Sequence, residues 1–136
     1  MREILFRGKR RDHCGWCQGA YINVFEPEIV GNHGWLRVDP ETIGQYTGMM
    51  DWNGQQIFEG DIVKGGNQYN ESHCGTVSFG RYRNWVSDDS YNTGFFIKWA
   101  DCKHWREELA YWVEERKIEV IGNIHDAPEL LKEAVQ

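Results

Sequence analysis

Glycine recurs every few residues along this chain, between short stretches rich in aromatic side chains, and this pattern constrains the fold most. The 136 residues include 15 Gly, seven Trp, six Tyr and six Phe, against only three Pro. Glycine weakens the interior of a helix and serves turns, whereas aromatic side chains pack well on a pleated sheet. The sequence therefore predicts a mostly-β fold of short strands joined by glycine turns.

Length and charge limit the class of protein. A chain of this length fits a single domain, residues 1–136, with a core that needs no disulfides. The chain contains 15 Lys and Arg and 21 Asp and Glu, so its net charge is −6. This negative charge argues against general binding of polyanions. We expect neither a membrane span nor a signal peptide, because charges interrupt every apolar stretch, including the first one. The expected location is the cytoplasm, where the four Cys would be reduced thiols.

Alternating and apolar stretches predict the positions of the strands. They lie at residues 4–6, 16–22, 42–47, 55–58, 62–64, 75–79, 94–99 and 118–124. Residues 23–34 are predicted to form a loop with one short strand near Ile29, and residues 81–92 a polar excursion. The spacing of Trp105, Leu109 and Trp112 favours a short helix, and residues 126–135 predict another. Residues 59–63, 75–77 and 95–99 fit consecutive strands of an SH3-like barrel, so we expect a small, partly open β-barrel with one or two short helices.

Several ordered motifs carry a resemblance along nearly the whole chain. They are residues 4–10, Trp16 with Gly19, residues 38–48, residues 51–63 and residues 119–131. In this order they resemble the YopX family of phage and prophage proteins. The resemblance implies a mostly-β domain encoded by bacteriophages and integrated elements, and it implies no particular reaction. The motif residues interpreted as structural are Gly44, Tyr46, Gly48, Asn53, Gly54, Glu59, Gly60, Asp61, Gly122 and Asn123.

Cys14 and Cys17 have the spacing of a zinc-ligand pair, which is the sharpest sign of metal chemistry in the sequence. A structural zinc site needs four ligands, and only His73-Cys74 or Cys102 with His104 are available to complete it. Adjacent strand residues point to opposite faces, so His73 and Cys74 make a poor second pair. Ordinary thiols are therefore favoured, no metal or cofactor is expected, and a zinc- or thiol-dependent enzyme stays an alternative.

The acidic residues of the central motifs are better explained by turns than by catalysis. Glu41, Glu59 and Asp61 have the chemistry for acid–base work or for binding Mg²⁺. Asp61 follows a glycine, however, where its carboxylate is suited to accept backbone N–H bonds at a corner. The Asn53-Gly54 pair likewise predicts a hairpin turn.

Arginine and aromatic residues alternate in the polar excursion and suggest a second alternative. Aromatic side chains stack on bases and Arg binds phosphate, so a small β-barrel module could contact nucleic acid here. The candidate residues are Arg81, Tyr82, Arg83, Trp85 and Tyr91. The overall charge of −6 favours a solvated loop at this position instead.

The preferred function is that of a non-enzymatic interaction protein of a phage or prophage. Its expected partners are an unidentified phage or host protein and further copies of the chain. Residues 1–11 contain five basic residues and one acidic residue, whereas residues 105–136 contain four basic and eight acidic residues. Opposite charges at the two ends favour a homo-oligomer in which one copy contacts the next.

Overall fold

The computed structural model describes residues 4–23, 26–66, 72–87, 89–100 and 105–133. The strands are β1 (Phe6–Lys9), β2 (Trp16–Asn23), β3 (Pro27–Gly31), β4 (Gly34–Arg37), β5 (Gly44–Met50), β6 (Gln56–Phe58), β7 (Asp61–Gly66), β8 (Ser72–Arg83), β9 (Tyr91–Trp99) and β10 (Glu119–Asn123). The helices are α1 (Leu109–Glu115) and α2 (Glu129–Glu133), with a 3₁₀ turn at Pro40–Thr42. The chain is mostly β, as the sequence predicts, and its sheets are antiparallel. The described residues form no closed barrel.

The chain divides into two compact units, Met1–Gly48 and Met49–Gln136. In the first unit the strands lie in the order β4-β3-β2-β1-β5. Cys17, Ile29 and Val38 are buried at its core. Gly8 is required beside them, because a Cβ there would lie 3.0 Å from the Cβ of Val38. One domain over residues 1–136 stays a prediction.

The second unit contains a four-stranded sheet in the order β10-β7-β8-β9. Its core is larger, and α1 contributes Leu109 and Trp112 to it. The other buried members of this core are Ile57, Val63, Val77, Phe95, Ile97, Trp99 and Ile118. Burying each such side chain contributes about 1.5–3 kcal/mol, so this cluster is the main apolar support of the sheet that carries β8 and β9.

Two predicted turns of the central motif are confirmed. At the Asn53-Gly54 turn, Gln55 O accepts the backbone N–H of Asp51 at 2.8 Å. At the corner between β6 and β7, Gly60 has a φ of 92°, a conformation that glycine adopts without strain. The carboxylate of Asp61 accepts the N–H of Phe58 at 2.7 Å across that corner.

Other segments differ from the prediction in their extent. The predicted strand near Ile29 is β3, but β4 follows it where the sequence predicts no strand. The polar excursion is strand at both ends, because β8 continues to Arg83 and β9 begins at Tyr91. Charged side chains hide the alternation in that stretch. The predicted helix after Trp105 is confirmed as α1, and no helix in the described chain is long and apolar enough to cross a bilayer.

The strands β8 and β9 extend beyond the rest of their sheet. The pairing of β7 with β8 reaches Thr76, whereas the pairing of β8 with β9 continues to Arg83 and Tyr91. We call residues 78–83 with residues 91–96 the arm. A two-stranded ribbon is marginally stable by itself, so contacts between its side chains must support it.

Candidate functional site

Aromatic rings cover a pair of glycines in the middle of the arm. Gly80 and Gly94 lie directly opposite each other in the ladder. The rings of Tyr82 and Phe96 stack at 5.7 Å between centroids. A Cβ at Gly94 would lie 3.8 Å from the ring of Tyr82, and a Cβ at Gly80 would lie 3.8 Å from the ring of Phe96. The two rings thus pack over the space that is open because the two glycines have no side chains, and this packing stiffens the ribbon.

Arg81 and Tyr91 form a cation–π pair near the end of the arm. The guanidinium carbon of Arg81 lies 4.5 Å from the centroid of the Tyr91 ring. Tyr91 nevertheless stays 58% exposed. The pair therefore presents a held aromatic face and a cation together to solvent.

Tyr82 is half-buried on the side of the arm that faces Arg106 and Glu108, in the segment before α1. Burial raises the pKa of its phenol above the ordinary value of 10.0, and the negative charge of Glu108 raises it further. A hydrogen bond with Asn92 and the positive charge of Arg106 act in the opposite direction. The neutral phenol is thus available as a hydrogen-bonding group at neutral pH.

A cleft of about 490 Å³ lies beside the arm. The residues that line it are Arg81, Tyr82, Arg83, Tyr91, Lys98, Trp99, Trp105 and Glu107. Three of these side chains are cationic and one is anionic, although the chain as a whole carries −6. The cleft is therefore a local basic and aromatic site on an acidic protein.

Trp85 lies just beyond the end of β8 and is held by Arg106. It is 53% exposed, and the guanidinium carbon of Arg106 lies 5.9 Å from its ring centroid and 4.1 Å from that of Tyr111. Arg106 also forms an ion pair with Glu108 at 3.5 Å. A second cleft of about 210 Å³ results, lined by Trp85, Trp105, Arg106, Tyr111, Trp112 and Arg116.

The backbone of Arg106 is fixed by the two tryptophans beneath it. Its carbonyl accepts the indole N–H of Trp99 at 2.9 Å and that of Trp112 at 2.7 Å. Buried indole N–H groups need a partner, and one carbonyl supplies it for both. The backbone position of Arg106, whose side chain contacts Trp85, is thus set by the core of the second unit.

Acidic side chains flank these clefts. A third cleft of about 400 Å³ is lined by Arg106, Glu108, Tyr111, Glu114, Glu115 and Arg116. The wider surface is consequently mixed in charge, and cations outnumber carboxylates both in the cleft beside the arm and in the cleft beside Trp85. Mixed charge around exposed aromatic residues is typical of protein interfaces.

The structure brings together four of the five residues predicted for nucleic-acid contact. Arg81, Tyr82, Arg83 and Tyr91 line the same cleft, while Trp85 lines the neighbouring one. Sequence reasoning missed Lys98 and Arg106. Arg106 follows Trp105 in a stretch interpreted only as helix. Lys98 lies on a strand far along the chain, so only the register of β9 brings it to the cleft.

The cysteines lie in different surroundings. Cys14 is exposed in the turn between β1 and β2, and its Sγ lies 3.7 Å from the carbonyl of Asp12. Cys17 is buried on β2, its thiol donates to the carbonyl of Gly8 at 3.7 Å, and burial raises its pKa. The described residues hold no group of three or more His, Cys, Asp and Glu arranged for a metal. Cys102 and His104 lie outside the described residues.

His73 and Cys74, the other residues named for zinc, lie on β8. Cys74 is buried, and the ring of His73 packs edge-on against Trp105 at 4.4 Å. The absence of a bound metal stays a prediction.

The remaining motif residues lie in turns and close contacts. Gly48 and Gly54 have φ values of 83° and 84°, and Gly44 pairs with Arg7. Tyr46 is buried and its N–H donates to Leu5 O at 2.7 Å. Asn123 Oδ1 accepts the N–H groups of His125 and Asp126, and a Cβ at Gly122 would lie 2.8 Å from Leu130. Glu59 is half-buried at the corner before β7. The structural roles of these residues stay predictions.

Comparison with known proteins gives one family and one fold. The family model described as YopX protein matches residues 8–132. The crystal structure of protein EF1440 from Enterococcus faecalis aligns with a TM-score of 0.54 and 18% identity, over 96% of this chain and 99% of that chain. At this identity the likeness shows the fold alone. Comparison with curated proteins gives no match.

Proposed function

The chain belongs to the YopX family, and on this basis we propose that it is a non-enzymatic interaction protein of a phage or prophage. It acts inside the bacterial host cell by binding a protein partner. The observation that carries this proposal is that Trp85 and Tyr91 are exposed, and that each is held by an arginine, Arg106 and Arg81 respectively.

Exposed aromatic residues held in this way are suited to bind proteins. Tryptophan, tyrosine and arginine are enriched among the few residues that supply most of the energy of an interface. Their contact with a partner costs little conformational entropy when neighbouring groups already fix the rings. Trp85 and Tyr91 are therefore the expected anchors.

Affinity capture from induced host cells tests this proposal, if it is done with matched variants. The test variant is Trp85→Ala, and the control is Trp35→Ala, because Trp35 is 62% exposed on the first unit. We expect a specific protein to co-purify with the wild type and with Trp35→Ala, and to be lost with Trp85→Ala. Equal capture by both variants would contradict the proposed surface.

A second candidate function is binding to single-stranded nucleic acid. The observation that favours it is the convergence of Arg81, Arg83 and Lys98 with two tyrosines in one cleft. Stacking of bases on the tyrosines and pairing of phosphates with the cations would both be available. Titration with single- and double-stranded DNA at several salt concentrations tests it. Affinity that falls steeply with salt and is reduced by Arg81→Gln supports the candidate.

A further inference from the structure

The strand β9 is the edge of its sheet, and part of that edge is already paired. Beyond its middle, the N–H of Ile97 donates to Glu107 O at 2.7 Å, and Phe96 forms a bridge with Glu108. This shows that β9 accepts an antiparallel strand on its outer side. Among the described residues, the chain supplies that partner as far as Glu108, just before α1.

Toward the end of the arm, no described strand pairs with the outer side of β9. The N–H of Asn84 donates to Ser90 O, which fixes the alternation of the backbone groups along β9. The N–H and C=O groups of even-numbered residues point toward β8, and those of odd-numbered residues point away from it. The outward positions nearest the end are Tyr91 and Thr93, both exposed. In the described ranges, neither has a backbone partner on the outer side.

This edge lacks the devices that usually protect one. Lysine, proline and bulges blunt exposed edges in natural sheets. Residues 91–95 contain none of these, and the ladder of β8 with β9 is regular through to Tyr91.

We propose that an extended, acidic segment of the partner protein adds as a strand to the outer edge of β9 at residues 91–93. Its carboxylates would then lie against the cleft that contains Arg81, Arg83 and Lys98. Backbone bonds provide affinity in strand addition, and the side chains beside the edge provide specificity. This inference rests on the proposed function and names the chemistry of the partner.

The open edge favours a peptide over a nucleic acid. A strand edge presents alternating N–H and C=O groups, and a peptide backbone supplies the complement of both. A phosphate backbone supplies acceptors alone. The cleft adds charge complementarity, because its three cations exceed the single carboxylate of Glu107.

Calorimetric titration with model peptides tests the inference. The probe is a capped Val-Glu-Val-Glu-Val-Glu-Val peptide, whose carboxylates share one face when extended. One control replaces Glu by Gln, and the other carries N-methyl groups on alternate amides, in both registers. We expect each control to bind at least about tenfold more weakly, since each loses charge-assisted or backbone bonds.

Variants of the protein separate the cleft from general charge. Arg81→Gln should weaken binding of the Glu peptide about tenfold, whereas Arg11→Gln, an exposed arginine of the first unit, should leave it unchanged. Lys98→Gln repeats the test without disturbing the contact of Arg81 with Tyr91, in case that contact supports the arm. Circular dichroism checks that each variant is folded.

Three results would overturn the inference: no saturable binding of the Glu peptide, equal binding of the N-methylated peptides, or tighter binding of an oligothymidine of equal charge. The proposed function fails separately. If co-purification of a partner still depends on Trp85 while the Glu peptide does not bind, the proposal of a protein partner is supported and the proposal of strand addition is wrong. If co-purification is the same with and without Trp85→Ala, the proposed binding surface around Trp85 is wrong.

Discussion

The carboxylate of Asp51 accepts three backbone N–H groups. It is only 6% exposed, and Oδ1 accepts the N–H groups of Asn53 and Gln55 while Oδ2 accepts that of Val120. Two of these donors are local to the turn and the third is 69 residues away in the chain. Asp51 therefore joins the turn before β6 to β10.

Replacing Asp51 should be costly. Asp51→Ala leaves three backbone donors without their acceptor, and a hydrogen bond to a charged group contributes about 1.5–3 kcal/mol. We expect the free energy of unfolding in urea to fall by about 3 kcal/mol or more. Asp39→Ala is the control, because Asp39 is exposed and accepts a single N–H, from Glu41. The loss there should be about 1 kcal/mol. Equal losses in the two variants would contradict the role given to Asp51.

We expect the ionisation of Tyr82 to lower the free energy of unfolding of the second unit at alkaline pH. Its pKa is raised in the folded protein, first by burial and then by Glu108, so the unfolded chain releases this proton at lower pH. Stability is therefore lost as pH rises past the ordinary tyrosine value of 10.0. Glu108→Gln should bring the pKa of Tyr82 closer to its ordinary value.

Phenolate absorbance measures this titration, with Tyr82→Phe identifying the contribution of Tyr82. The free energy of unfolding of Tyr82→Phe should fall less above pH 10.0 than that of the wild type. A Tyr82 titration that Glu108→Gln leaves unchanged would argue against an electrostatic contribution from Glu108.

At the scale of elements, the arm needs the stacked pair that covers its glycines. Aromatic pairs contribute about 0.5–1.5 kcal/mol beyond burial, so a double-mutant cycle of Tyr82→Ala with Phe96→Ala should give a coupling energy in that range. The control is a cycle of Tyr82→Ala with Phe79→Ala. Phe79 lies on the opposite face of β8, so its coupling energy with Tyr82 should be near zero. Urea unfolding supplies the values. Similar couplings for both pairs would show that the stack has no special role.

The sequence predicts local elements better than the cleft. The Asn53-Gly54 turn and the corner at Gly60 follow from the backbone conformations that those residues favour. The strand β4 was missed because Gly34, Trp35 and Leu36 neither alternate in polarity nor follow a strong turn signal. The cleft depends on long-range register, which places Lys98 and Glu107 near Arg81 although nothing near Arg81 in the sequence indicates it.

At the scale of the whole molecule, we propose that the chain forms a homo-oligomer held partly by charge. The basic residues 1–11 of one copy would attract the acidic residues 105–136 of another. Such attraction is screened over about 8 Å at physiological salt, so the measured mass should fall as salt rises. Light scattering at low and high salt measures it. A monomeric mass in both conditions would contradict the proposal.

The packing of three tryptophans gives the protein an optical signature. The rings of Trp99, Trp105 and Trp112 lie 5.0 Å apart in each pairing, at interplanar angles of 82°, 67° and 26°. Indoles this close couple their electronic transitions, so their combined near-ultraviolet circular dichroism reports their mutual orientation. Trp105 also lines the cleft beside the arm. A segment that enters the cleft would thus change the coupled spectrum without any attached label, and the chain carries its own sensor of occupancy.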